Sequence, residues 1–219
     1  MSLYIKDTAT STEACVIWLH GLGADASDMA GLAEQLPLSD LALRHVFVDA
    51  PVRPVTLNGG MPMQAWYDII GMKLTDREDK EGIKDSETHI SSIVQGQIEQ
   101  GFSSRQIFLA GFSQGGAMAL YTSLQMAEPL AGVIALSAYL PLLSDIDVQQ
   151  PSQLPLFMAS GKFDPLVLPV WTRASADWLE SKDFTNISWH QYDMEHSVCM
   201  EEIKDIAVWL RQQVKKEAQ

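Results

Sequence analysis

Along this chain, short apolar runs and stretches with an apolar residue every third or fourth position take turns, with polar or glycine-containing junctions between them. Runs of the first kind predict buried strands, and those of the second predict helices with one apolar face. Strands are expected near Ala14–Leu19, Arg44–Val48, Gln106–Ala110, Gly132–Ser137, Leu156–Ser160 and Ile187–Tyr192. Helices are expected near Ser27–Gln35, Ser86–Gln100, Gln114–Met126, Val170–Ser181 and Val198–Lys215. The second helix places Ile90, Ile93, Val94 and Ile98 on one face, and Gly101 can close it in a left-handed cap. Strand and helix in regular alternation predict an α/β fold, a mostly parallel central sheet with helices on both faces. No internal repeat or low-complexity tract interrupts the pattern, and residues 1–219 are read as a single domain.

The stretch from Pro51 to Asp85 breaks the alternation. It is too long to be a plain connector, since structureless loops beyond about 12 to 15 residues usually carry a function or are disordered. Its first part holds Met61, Pro62, Met63, Trp66, Ile69, Ile70, Met72 and Leu74; Thr75 to Lys84 is charged and expected to be solvated. Two readings stand side by side. In one, the apolar part is a small flap over a site, with Met63, Trp66 and Leu74 forming a substrate-binding wall, methionine being suited to irregular apolar surfaces. In the other, it packs against the sheet edge, with Trp66-Tyr67-Asp68 as an anchor.

Composition narrows the function classes. A 219-residue chain that is 47% hydrophobic can bury a sizeable core. No apolar run approaches the roughly 20 residues that span a bilayer, and Met1 to Glu13 is not a charged-then-apolar leader, so a cytoplasmic protein without stable membrane insertion is expected. The net charge of −13 leaves no basic stripe for nucleic acid or an anionic membrane surface. Cys15 and Cys199 are read as free thiols. No cluster of ligands suggests a metal, and no cofactor is expected.

The chemistry concentrates at Gly111-Phe112-Ser113-Gln114-Gly115, between the apolar run Ile107–Ala110 and the small-residue stretch Gly116–Leu120. A strand that turns sharply into a helix holds such a serine in a strained conformation, and glycines two positions to either side make room for the turn. Serine is a weak nucleophile at neutral pH and needs a base with a group to orient it. Where such elbows occur in α/β-hydrolases, the chain order is serine, acid, histidine. Only His190 and His196 follow the elbow; His190 lies within a strand pattern and His196 in the loop beyond it, where catalytic groups are usually presented. Asp164 follows the strand Leu156–Ser160 and a glycine turn, so it is the expected acid. Asp193, on the histidine's own loop, is the nearest rival; Asp145, Asp147, Asp177 and Asp183 are weaker ones. A developing oxyanion would need two N–H donors. Gln114, after the serine, supplies one, and Leu22 in His20-Gly21-Leu22-Gly23 the other.

Together with Ala65-Trp66-Tyr67-Asp68, these motifs resemble the carboxylesterase and acyl-protein thioesterase family of α/β-hydrolases over nearly the whole chain. The resemblance implies an α/β-hydrolase fold with minimal lid and a cofactor-free serine hydrolase using Ser113, Asp164 and His196, with Leu22 and Gln114 as oxyanion-hole donors. It implies a carboxylesterase acting on small-molecule esters or acylated substrates. Acyl-protein thioesterase or lysophospholipase action is the alternative within the class, and a non-catalytic binding protein on the same fold is the alternative outside it. One departure is Ser160 before Gly161, where the family often has histidine; that position is not catalytic there. Apolar residues in the flap or at Leu140-Pro141-Leu142-Leu143 leave a homodimer open.

Overall fold

The computed structural model describes residues 2–71, 77–148 and 153–217. Seven strands form one sheet in the order β1-β3-β2-β6-β7-β8-β9. They are β1 (Leu3–Asp7), β2 (Ala14–Leu19), β3 (Leu43–Val48), β6 (Ile107–Phe112), β7 (Gly132–Leu136), β8 (Leu156–Gly161) and β9 (Ile187–Tyr192), and β4 (Val52–Val55) with β5 (Met61–Gln64) makes a separate hairpin. All neighbours in the large sheet run parallel except β1, which pairs antiparallel with β3, Leu3 opposite Val48 and Asp7 opposite Arg44. This is the mostly parallel α/β sheet that the alternation predicts.

Among the described residues, five α-helices clad it: α1 (Ala26–Gln35), α2 (Lys80–Glu99), α3 (Gln114–Gln125), α4 (Pro169–Ser181) and α5 (Met200–Glu217). Alternate residues of each central strand serve opposite faces. Cys15, Ile17 and Leu19 of β2 join Ile83, Ile90, Leu120 and Leu179 on one side. Val16 and Trp18 join Met29, Ile206 and Leu210 on the other. With both faces covered, the central strands are continuously apolar. Each fully buried leucine or isoleucine contributes about 1.5–3 kcal/mol relative to an exposed one.

The expected strands and helices are present, and the differences have physical causes. β1 gives no signal in the sequence because all five of its residues are exposed and it lies on the sheet edge, where no apolar alternation is required. The β4–β5 hairpin carries no strand signal because its strands are short and hold Pro54 and Pro62, opposite one another. α2 starts at Lys80, six residues earlier than expected. The Asp79 side chain accepts the Gly82 N–H at 3.0 Å, and Gly82 and Ile83 are buried, so Lys80–Lys84 is a capped helical turn and not a solvated loop. Thr75 and Asp76, with Leu74, lie outside the described residues.

β6 is the fourth of the seven strands, and its C-terminal end opens directly into α3. Crevices at the carboxyl ends of parallel strands are where such sheets present their chemistry.

Candidate active site

Ser113 is the hinge between β6 and α3, with φ 54° and ψ −120°, a backbone conformation that L-residues rarely adopt. Its N–H donates to the Leu136 carbonyl of β7 at 2.8 Å, and its own carbonyl accepts the Ala117 N–H at 3.0 Å. The flanking glycines have no room for side chains. A Cβ on Gly111 would lie 2.3 Å from the Gly115 carbonyl carbon, and one on Gly115 would lie 2.1 Å from the Leu19 carbonyl oxygen. Real Cβ atoms do not approach so closely, so the elbow requires glycine at both positions.

The serine faces His196, whose Nε2 is 2.9 Å from Ser113 Oγ, while its Nδ1 is 2.7 Å from Asp164 Oδ2. The other oxygen of Asp164 accepts the Leu166 and Val167 N–H groups, both at 2.9 Å. That Asp-Pro turn fixes the carboxylate's rotation. The Asp164 side chain is fully buried, and the His196 side chain is 14% exposed with its ring against Phe112, centroids 4.8 Å apart. A carboxylate at Nδ1 makes that nitrogen the protonated one, so Nε2 presents a lone pair to the serine hydroxyl. A serine, a histidine and an aspartate in such a line can act as nucleophile, base and orienting acid.

Three of the rival aspartates and His190 are engaged elsewhere. Asp193 pairs on the surface with Lys162 at 2.7 Å, Asp145 with Lys80 at 2.8 Å, and Asp177 with Arg173. His190 is stacked on Phe157 at 4.6 Å and bonded through Nε2 to Ser188 at 2.8 Å.

The start of α3 and the loop after β2 converge on the serine. Gln114 opens α3, so its N–H belongs to the helix's first turn, which has no intrahelical acceptor. Gly21 passes so near that a Cβ on it would stand 3.5 Å from Ser113 Cβ, which brings the Leu22 peptide alongside the elbow. Met63 on β5 borders this loop, its sulfur 3.7 Å from where a Gly23 Cβ would be, and it is partly exposed. Trp66 is different. It is fully buried, and the expectation that it contacts substrate gives way to that of an anchor. Leu74 lies outside the described residues.

Sequence reasoning passed over two further contributors. Gly161 ends β8 under the histidine loop, and the side chain of Gln114 is buried with both ends bonded, Oε1 to the Trp66 N–H and Nε2 to the Tyr67 carbonyl, each at 2.8 Å. A long amide inside an otherwise apolar helix start is the signal that could have pointed to the second.

A serine presented on a strand-to-helix elbow in a mostly parallel seven-stranded sheet, aligned with a histidine and an aspartate from later strand ends, defines an α/β-hydrolase. The phospholipase/carboxylesterase family model matches residues 2–214, and the chain belongs to that family of hydrolases. It is 35% identical to acyl-protein thioesterase 1 of Yarrowia lipolytica over 212 residues, 93% of each chain. It is 37% identical to acyl-protein thioesterase 1 of Mycosarcoma maydis over 225 residues, 94% of this chain and 91% of that one. The crystal structure of Zea mays acyl-protein thioesterase 2 superposes with a TM-score of 0.86 at 26% identity, over 97% of this chain and 99% of that one. Among the described residues, no helix is long and apolar enough to cross a membrane.

Proposed function

We propose that this protein is a serine esterase that cleaves acyl esters and thioesters, with Ser113 as nucleophile, His196 as general base and acid, and Asp164 as the group that orients the histidine. The observation that carries this is the unbroken hydrogen-bonded line from Asp164 through His196 to Ser113. His196 takes the serine proton as Oγ attacks the acyl carbonyl, and Asp164 stabilises the imidazolium that forms. The oxyanion is held by the N–H groups of Leu22 and Gln114. The imidazolium then protonates the departing alcohol or thiol, and water activated by the same ring releases the acid from the acyl-enzyme.

Acyl-chain substrates are favoured by the surroundings. Phe163 and Leu166, each 65% exposed, flank Asp164-Pro165 in the chain, and the partly exposed Met63 borders the Leu22 loop. Exposed apolar residues gathered at a site mark contact with apolar ligands. The names of the fungal relatives favour thioesters as the leaving-group class.

The test is kcat/KM on p-nitrophenyl esters of increasing acyl length and on matched acyl thioesters, with Ser113→Ala beside the wild type. Turnover that is lost in the variant is the expected result, and the ratio of thioester to ester rates decides between the two leaving groups. A variant that keeps more than about a hundredth of the wild-type rate removes Ser113 from the nucleophile's role.

A further inference from the structure

We infer that Trp66 is a positioning residue that sets the placement of the two oxyanion-hole donors relative to each other, acting from beneath the site through the His20 carbonyl and the Gln114 carboxamide. The inference rests on the hydrolase reading and adds a residue that touches neither substrate nor reacting atoms.

The Leu22 N–H has no freedom of its own, because the peptides before it are pinned. The Trp66 Nε1–H donates to the His20 carbonyl at 2.8 Å, which fixes the plane of the His20–Gly21 peptide. The His20 ring fixes the next one. Its Nε2 faces the Ala50 N–H at 2.9 Å and so must accept, which leaves the proton on Nδ1 to donate to the Gly21 carbonyl at 2.7 Å. In a trans peptide the carbonyl and the following N–H point to opposite sides, so holding the Gly21 oxygen aims the Leu22 N–H the other way. Beyond it, the Gly23 N–H is tied to the Gln64 carbonyl at 2.8 Å. Glycine at 21 would otherwise leave these planes free to rotate.

The second donor is tied to the same side chain. Gln114 carries the other oxyanion N–H on its backbone, and its Oε1 accepts the Trp66 backbone N–H at 2.8 Å. Its Nε2 donates to the Tyr67 carbonyl at 2.8 Å. Trp66 is anchored from below by the Ser86 hydroxyl of α2, which donates to its carbonyl. One fully buried residue thus bonds the loop bearing the Leu22 donor with its ring and the elbow bearing the Gln114 donor with its backbone. The Leu22 loop follows β2 and Gln114 starts α3, and besides this bridge the two segments meet where Gly115 packs against the Leu19 and His20 carbonyls.

Two variants weaken this bridge from opposite ends. Trp66→Phe removes the indole donor and fills most of its volume; Gln114→Met keeps the side-chain length and the backbone N–H but loses both amide bonds. The measurements are kcat and KM on p-nitrophenyl butyrate, the inhibition constant of butylboronic acid, and the unfolding midpoint. The boronate forms a tetrahedral adduct on Ser113 whose oxygen occupies the oxyanion position, so its affinity reports the hole directly. Loss of a whole oxyanion donor costs about 100- to 1,000-fold in kcat, so a displaced one is expected to cost roughly 10-fold or more. KM is expected to stay within about twofold, and the boronate constant to weaken in proportion to kcat/KM across the variants. Rates within about twofold of wild type in folded variants, or a rate loss that leaves boronate affinity unchanged, overturn the inference. Wild-type protein without Ser113-dependent turnover overturns the hydrolase reading itself, which is a separate result.

Discussion

A Cβ atom on Gly161 would stand 2.3 Å from the carbonyl oxygen of Glu195, the residue before His196. The same atom would be 2.4 Å from the Met194 carbonyl oxygen. The histidine loop therefore lies directly on the last residue of β8, and the backbone bonds of Lys162 to Tyr192 at 2.8 Å and of Phe163 to Met194 at 3.1 Å hold it there. Asp164 and His196 reach one another because their two loops share this contact.

Gly161→Ala is accordingly expected to push the His196 loop away from Asp164 and Ser113. A displacement of about 1 Å in a reacting group can cost about 100-fold, so kcat is expected to fall by that order while the sheet still forms. Steady-state kinetics alongside circular dichroism checks this; a variant with unchanged kcat would mean that the loop yields without moving the imidazole.

Asp164→Asn tests the histidine's tautomer. The Leu166 and Val167 N–H groups require an oxygen at the Oδ1 position, so the amide NH2 would face His196 Nδ1. Nδ1 then accepts and Nε2 carries the proton, which can no longer receive that of Ser113. A loss of about 10,000-fold in kcat is the expected scale, with substrate binding little changed. Burst kinetics with a p-nitrophenyl ester separates loss of acylation from loss of fold.

Glu202 predicts the pH dependence of stability. It is fully buried in the first turn of α5. Burial pushes its pKa up to about 8, with the nearby Cys199 N–H pulling the other way. The folded state thus holds a proton that the unfolded state releases near the ordinary carboxylate range. Glu202's contribution is full below that range and is lost as pH rises to and through about 8. Glu202→Gln is expected to match wild type near pH 5 and to exceed it at pH 9 by on the order of 1–3 kcal/mol. Urea unfolding at the two pH values measures the difference, and an equal gap at both would contradict it.

Met63 tests the acyl wall. Met63→Ala is expected to shift the preferred p-nitrophenyl ester length, changing long-chain kcat/KM by about 10-fold relative to acetate, the scale of one to three kcal/mol per change in an apolar pocket. Equal loss at every length would make Met63 a packing residue that supports the Gly23 loop.

The strand and helix order, the elbow and the line of candidate catalytic residues were legible in the sequence because each rests on local rules. Continuous apolar runs mark strands buried on both faces, a serine between two glycines marks a turn with no space for side chains, and Asp164 and His196 each follow a strand whose end is punctuated by polar or glycine residues. Where local rules are silent, the reading stopped: β1 is exposed throughout, the hairpin is interrupted by prolines, and Lys80–Lys84 looks like a loop until Asp79 caps it. What only the tertiary structure decided is which atoms meet. That Trp66 lies under the site and bonds both the His20 carbonyl and the Gln114 amide depends on segments 46 and 48 residues apart in the chain. That Gly161 must be glycine depends on a loop more than thirty residues further on. Hydrophobic periodicity reports which face of an element is covered, but hydrogen-bond partners between elements are set by the sheet order and register that bring them side by side, and no spacing along the chain encodes those.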